Sequence, residues 1–228
     1  MTISLSDAGK RYNREWIFRH FTYSFGEGKS YAITGPNGSG KSTLLQALAG
    51  SLHMNEGTIQ YSFNGTVVKE SVESDNDNQK TGNRRLSSVQ SEGIYQYISI
   101  CAPYLEIVEE MTLKEFLNFH QSFKPFLEGI TVEKIISLIG LEKAVNKQVR
   151  YYSSGMKQRV KLAQCIFSNV PVILLDEPCT NLDTAGFELY HRLIDDYCKN
   201  RIVIVSSNDE AEFRFCEQKI NIADFKNS

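Results

Sequence analysis

Residues 35–42 read Gly35-Pro36-Asn37-Gly38-Ser39-Gly40-Lys41-Ser42 and match G-x-x-x-x-G-K-[ST] in full. Glycines at this spacing free the backbone to turn its N–H groups onto phosphate oxygens. A helix opening directly behind them adds partial positive charge. Lys41 is then placed to reach the β- and γ-phosphates of a nucleotide, and the Ser42 hydroxyl to hold Mg²⁺, with Thr43 next to it. A second stretch, VILLDEP at 172–178, is an apolar run that ends in Asp176 and Glu177. Successive strand residues point to opposite sides, so the two acids can do different jobs. Asp176 suits the cation and Glu177 suits a general base beside an attacking water. A third stretch, IVIVSSND at 202–209, ends another apolar run on Asn208. The first two stretches together point to binding a nucleoside triphosphate and hydrolysing it.

Such groups need strands that end together. SYAIT (30–34), VILLD and IVIVS are short apolar runs of the kind found in buried parallel strands. FTYSF (21–25) and SYAIT, separated by GEGK, read as antiparallel or edge strands leading into a buried strand. Helical stretches lie between the runs. Leu44, Leu45, Leu48 and Leu52 mark one face, and Gly50 suits a helix end. Thr112 and Glu115 have capping-box spacing ahead of Leu113, Phe116 and Leu117. Thr131 can cap a helix carrying Ile135, Ile136 and Ile139, which Gly140 stops. A further helix starts near Ser153 and Ser154, and another covers 184–198. Strands alternating with helices predict an α/β domain with a mainly parallel sheet. The expected organisation is one domain over 1–228. It has an antiparallel N-terminal part, a core at 1–103 and 159–228, and an inserted helical subdomain at 104–158. The Ser/Asn-rich stretch 71–93 predicts a polar, flexible insertion.

Composition narrows the partners. The chain has 228 residues and a net charge of -2, which argues against a nucleic-acid-binding field. No apolar run approaches the ~20 residues of a membrane span, nor does the N-terminus resemble a signal peptide. The expectation is a cytoplasmic protein whose membrane role, if any, comes through a partner. The five cysteines, at 101, 165, 179, 198 and 216, include no C-x-x-C pair, which argues against zinc or a disulfide framework.

The stretch YSSGMKQR, 152–159, sets the class. A Ser hydroxyl and free N–H groups at a helix start make an anion site. With the two motifs above, Tyr152-Ser153-Ser154-Gly155-Met156 resembles the LSGGQ signature of the ATP-binding cassette (ABC) family. The resemblance covers nearly the whole chain. It implies a P-loop ATPase fold and places Tyr12, 23 residues before Gly35, where an aromatic ring stacks on adenine; Trp16 is the second choice. It makes Thr180-Asn181-Leu182-Asp183 the loop that contacts a second subunit. It further implies a head-to-tail dimer, with itself or a homologous cassette. Each ATP would lie between the Lys41 loop of one chain and Ser153, Ser154 and Gly155 of the other. It implies ATP and Mg²⁺ as cofactors. An integral membrane transporter subunit would dock near residues 99–115, on the inner face of the cell membrane.

Two positions depart from the family pattern. Pro103 stands where the family has a Gln, and Glu106 offers an oxygen-bearing stand-in for holding the cation. Asn208 stands where the family has a His that contacts the γ-phosphate. An Asn amide can donate to a phosphate oxygen but cannot titrate near neutral pH. Hydrolysis is therefore expected, at a reduced rate. Two alternatives are a soluble cassette ATPase of the iron–sulfur assembly type and a nucleotide-gated regulator with little turnover. The chain ends about 20 residues after Asn208, which suggests no room for a C-terminal regulatory domain.

Overall fold

The computed structural model describes residues 1–63, 66–71 and 93–226. In chain order the elements are β1 (Thr2–Tyr12), β2 (Glu15–Gly26), β3 (Ser30–Thr34), α1 (Lys41–Leu48), β4 (Glu56–Phe63), β5 (Thr66–Ser71) and β6 (Ile98–Cys101). They continue with α2 (Leu113–Phe123), α3 (Val132–Leu138), α4 (Ser154–Phe167), β7 (Val172–Asp176), α5 (Thr184–Tyr197), β8 (Ile202–Ser206), α6 (Glu210–Phe213) and β9 (Gln218–Asn221). The insertion expected at 71–93 falls almost wholly on 72–92, outside the described residues.

Two sheets form. One is antiparallel in the order β2-β1-β4-β5, and the other is parallel in the order β6-β7-β8-β3-β9. SYAIT does not continue an antiparallel pairing with 21–25. It is β3, paired in parallel with β8 on one side and β9 on the other. Tyr31, Ala32 and Ile33 are buried on both faces, which suits an interior parallel strand.

The period of two along each parallel strand divides the core into two layers. Val172 and Leu174 of β7, Ile202 and Ile204 of β8, and Tyr31 and Ile33 of β3 pack towards α1 and the antiparallel sheet. Ile173, Leu175, Val203, Val205 and Ala32 face the other way, onto α4 and α5. Each fully buried aliphatic side chain stabilises the fold by about 1.5–3 kcal/mol. Both layers are therefore strongly specified, and so is the strand register. The same alternation sends Asp176, two residues after Leu174, to the α1 side.

The helical segment between β6 and β7 starts with a capping box. The Thr112 hydroxyl accepts from the Glu115 N–H, and Glu115 Oε2 accepts from the Thr112 N–H at 2.8 Å. Thr131 Oγ1 accepts from the Lys134 N–H to start α3, and Gly140 follows the helix with φ +68°. α4 runs across residue 158, so one helix carries both the end of the helical segment and the start of the core that follows.

Candidate functional site

β3 delivers the chain at Thr34 into a loop with φ +143° at Gly35, +76° at Gly38 and +103° at Gly40. Gly40 is the N-cap of α1 and supplies no side-chain cap, so the first N–H groups of the helix face the loop without a side-chain acceptor. A Cβ at Gly40 would lie 2.2 Å from Ile17 Cγ2, so the loop closes against β2 only with glycine there. Lys41 is buried and donates to the Gly35 carbonyl at 2.8 Å and the Pro36 carbonyl at 3.3 Å. Burial lowers its pKa, while the charges of Glu177 and Asp176 oppose that shift. Asn37, Gly38, Gly40, Lys41, Ser42 and Thr43 line a cavity of about 210 Å³ with Ile17 and Glu177.

Asp176 is buried, and among the described residues its Oδ1 has no hydrogen-bond partner; neither has the buried Ser39 Oγ in the loop. A buried carboxylate oxygen without a partner is costly unless something fills the place. Facing a lysine and a helix start, the gap suits a cation bound together with phosphate. Glu177 lies just past the end of β7, exposed, with φ +44°. Its N–H donates to the Ser206 carbonyl at 2.9 Å, which fixes the turn that swings its side chain over the loop.

Asn208 lies two residues past β8, and its Nδ2 donates to Asn37 Oδ1 at 2.8 Å. The departure at Pro103 is an exposed loop position whose carbonyl accepts from Lys161 Nζ at 3.1 Å. Glu106 is exposed on the same loop. Tyr104, between them, is partly exposed. Burial raises its pKa, Gln46 hydrogen-bonds its hydroxyl, and the charge of Asp176 is close enough to be felt. Gln46 sits one helical turn after Ser42 on α1, so both share a face. The sequence reading passed over Gln46 and Tyr104 because a lone Gln and a lone Tyr carry no motif. The i, i+4 spacing of Ser42 and Gln46 is the signal that could have found the first.

Tyr12 is half exposed at the end of β1, with Lys10 Nζ 5.4 Å from its ring centroid. Trp16 is held between cations, with the guanidinium of Arg19 at 4.6 Å and that of Arg11 at 5.4 Å. Ile17, next in sequence, is the β2 residue that touches the loop, and sequence reasoning did not single it out.

Ser153 caps α4, its Oγ accepting from the Met156 N–H at 3.3 Å, and Ser154 is exposed beside it. A Cβ at Gly155 would lie 3.0 Å from the Asn181 carbonyl oxygen, so the signature turn packs directly on the loop after Glu177. Arg159 pairs with Asp183 Oδ1 at 3.3 Å, and Asp183 also caps α5 by accepting from the Gly186 N–H at 2.8 Å. That N–H, more than the arginine, holds the Asp183 carboxyl below its usual range. Ser153, Ser154, Gly155, Arg159, Asn181 and Asp183 line a second cavity of about 640 Å³, which shares no lining residue with the cavity at Lys41. Among the described residues, no cluster of three His, Cys, Asp or Glu side chains could hold a metal alone. No helix there is long and apolar enough to cross a membrane.

Residues 18–180 match the family model described as ABC transporter. The chain is 27% identical over 228 residues to an uncharacterised ABC transporter ATP-binding protein, YhcH of Bacillus subtilis, covering 96% of this chain and 66% of the relative. It is 29% identical to the thiamine import ATP-binding protein ThiQ of Salmonella typhimurium, covering 92% of this chain and 84% of the relative. The chain spans only 66%, 51% and 66% of the length of three Bacillus subtilis relatives that it matches. Its fold is similar to a dimeric ATP-binding cassette solved in a post-hydrolysis state with ADP and Pi. The TM-score is 0.76 and the identity 21%, over 96% of this chain and 94% of that one.

Proposed function

Because the chain belongs to the ABC transporter family, we propose that it binds and hydrolyses ATP and thereby powers a separate membrane subunit. The observation that carries this reading is one cavity that joins a buried Lys41, the free N–H groups of α1 and Glu177, with the partnerless Asp176 Oδ1 on the same side of β7.

In this reading the loop 35–43 wraps the phosphates, and Lys41 exchanges its two carbonyl partners for phosphate oxygens. Ser42 and Asp176 would hold Mg²⁺, which supplies charge stabilisation to the transferring phosphoryl group. Glu177 orients the attacking water and takes its proton. Asn208 turns its amide from Asn37 to the γ-phosphate, and Tyr12 stacks on the base. We place the second half of each site on Ser153, Ser154 and Gly155 of another copy or a homologous cassette, with Asp183 at the contact between chains. The absence of shared lining residues between the two cavities favours that arrangement. We assign the membrane subunit to the surface at 99–115, where Tyr104 and Val108 are exposed; through it the protein would sit on the inner face of the cell membrane. The helical subdomain is taken as 104–158. Because Asn208 cannot carry a proton near neutral pH, turnover is expected to be slow.

The test is steady-state MgATP hydrolysis with Glu177→Gln as paired control. Phosphate release that this substitution abolishes, while ATP binding persists, supports the proposal. ATP binding without release in either protein favours the second reading, a nucleotide-gated regulator. That alternative draws on the Asn208–Asn37 bond and on Pro103, which has no side-chain oxygen.

A further inference from the structure

Glu212 is a buried acid that none of the steps above uses. It lies on α6, four residues after Asn208, and is 5% exposed. Its Oε1 accepts from the Cys179 N–H at 3.0 Å, and among the described residues its Oε2 has no hydrogen-bond partner, although the Ser207 hydroxyl is near enough to offset part of the rise that burial gives its pKa. Its backbone carbonyl accepts from the Tyr190 hydroxyl of α5 at 2.8 Å, in a fully buried contact. One residue on a four-residue helix therefore ties together three pieces: the turn after Glu177, the helix after Asp183, and the segment that carries Asn208.

The turn after Glu177 keeps backbone bonds of its own, from the Glu177 N–H to the Ser206 carbonyl at 2.9 Å and from the Thr180 N–H to the Glu177 carbonyl at 3.2 Å, and side chains brace it from two sides. Cys179 is two residues past Glu177, and the turn is held from the other side by Gln158 Nε2, which donates to the Pro178 carbonyl at 2.6 Å. Glu177 itself sits at φ +44°, a conformation that persists only where its surroundings hold it. Keeping a carboxyl buried with one oxygen unpaired costs free energy that an apolar residue would not. A cost retained beside the general base and the Asn208 segment is what a positioning element would show.

We propose that Glu212 is a positioning residue, a buried clamp that holds the Glu177 turn and the Asn208 segment in one fixed relation through Cys179. This rests on the ATPase reading given above. Glu212 touches no substrate in it. Its effect is on how well the attacking water and the γ-phosphate are aligned, and so on turnover rather than on nucleotide affinity.

The experiment compares wild type, Glu212→Ala and Glu212→Gln in the full chain. It measures kcat and ATP affinity, together with backbone amide exchange over 177–183 and 207–213. Gln keeps an acceptor for the Cys179 N–H, whereas Ala does not. In Glu212→Ala, kcat is expected to fall about tenfold or more with ATP affinity within about threefold, and the Cys179 amide to exchange faster. In Glu212→Gln both properties return to within about threefold of wild type. An active wild type alongside a Glu212→Ala protein of unchanged kcat overturns this proposal alone. So does a loss that Gln fails to restore while the Gln protein still protects Cys179. A wild type that binds and hydrolyses no ATP overturns the ATPase reading, and the proposal with it.

Discussion

Asn208 Nδ2 lies 2.8 Å from Asn37 Oδ1, so the end of β8 and the loop after β3 are joined by a bond between two neutral amides. A histidine here would titrate near ~6.5, and an asparagine does not. The rate of ATP hydrolysis should therefore show no break near that pH arising from this position. Asn208→His is expected to introduce one, which a pH–rate profile of the two proteins would reveal. A break in wild type that vanishes in Asn208→Ala would overturn this assignment of Asn208 as a non-titrating replacement.

Gly40 bears on the loop itself. At φ +103° a side chain costs about 1–3 kcal/mol in backbone strain alone, and Ile17 lies where the new Cβ would go. Gly40→Ala should weaken ATP binding by about tenfold or more, measured by titration calorimetry. Paired with Ile17→Ala, part of the loss should return, because the steric part of the strain is relieved.

Tyr104 places a hydroxyl against Gln46 and within the field of Asp176. Removing only the oxygen, as in Tyr104→Phe, should leave folding intact. It should raise the Mg²⁺ concentration for half-maximal hydrolysis by about threefold, the loss of one modest hydrogen bond. The parallel change Glu106→Gln should move it little.

His120 offers a stability test away from the site. Its Nε2 lies 2.9 Å from Ser168 Oγ, and its Nδ1 faces Gln164 Nε2 at 3.2 Å, so the neutral ring satisfies both neighbours. Burial first, and then the charge of Lys124, lowers its pKa to about 4. The unfolded chain takes up the proton more readily than the folded one between that value and about 6.5. Stability should thus be lost as pH falls from about 6.5 to about 4, by up to about 3 kcal/mol. His120→Gln should flatten that slope in denaturant unfolding.

The sequence already contained most of this architecture. The caps at Thr112, Thr131 and Ser153 were legible because capping is local chemistry, written in three or four adjacent residues. The placement of SYAIT was harder to read, since an apolar run of five does not say whether its partners are parallel or antiparallel. The loop 35–42 and the acids at 176–177 announce themselves by spacing. Ile17, Gln46, Tyr104 and Glu212 do not, because each gains meaning only from residues far away in the chain.

The separation of the two cavities has a genetic consequence. If each complete site draws Lys41 from one chain and Ser154 from another, neither loss need be fatal in a mixture. A dimer of one Lys41→Ala chain and one Ser154→Arg chain would carry one site with both defects and one site with none. Two separately inactive proteins, mixed and allowed to exchange subunits, would then recover activity at about a quarter of the wild-type level, counting half the dimers as mixed and half the sites in each as intact. Intragenic complementation of this kind reads the stoichiometry of the assembly directly from activity, without isolating the complex.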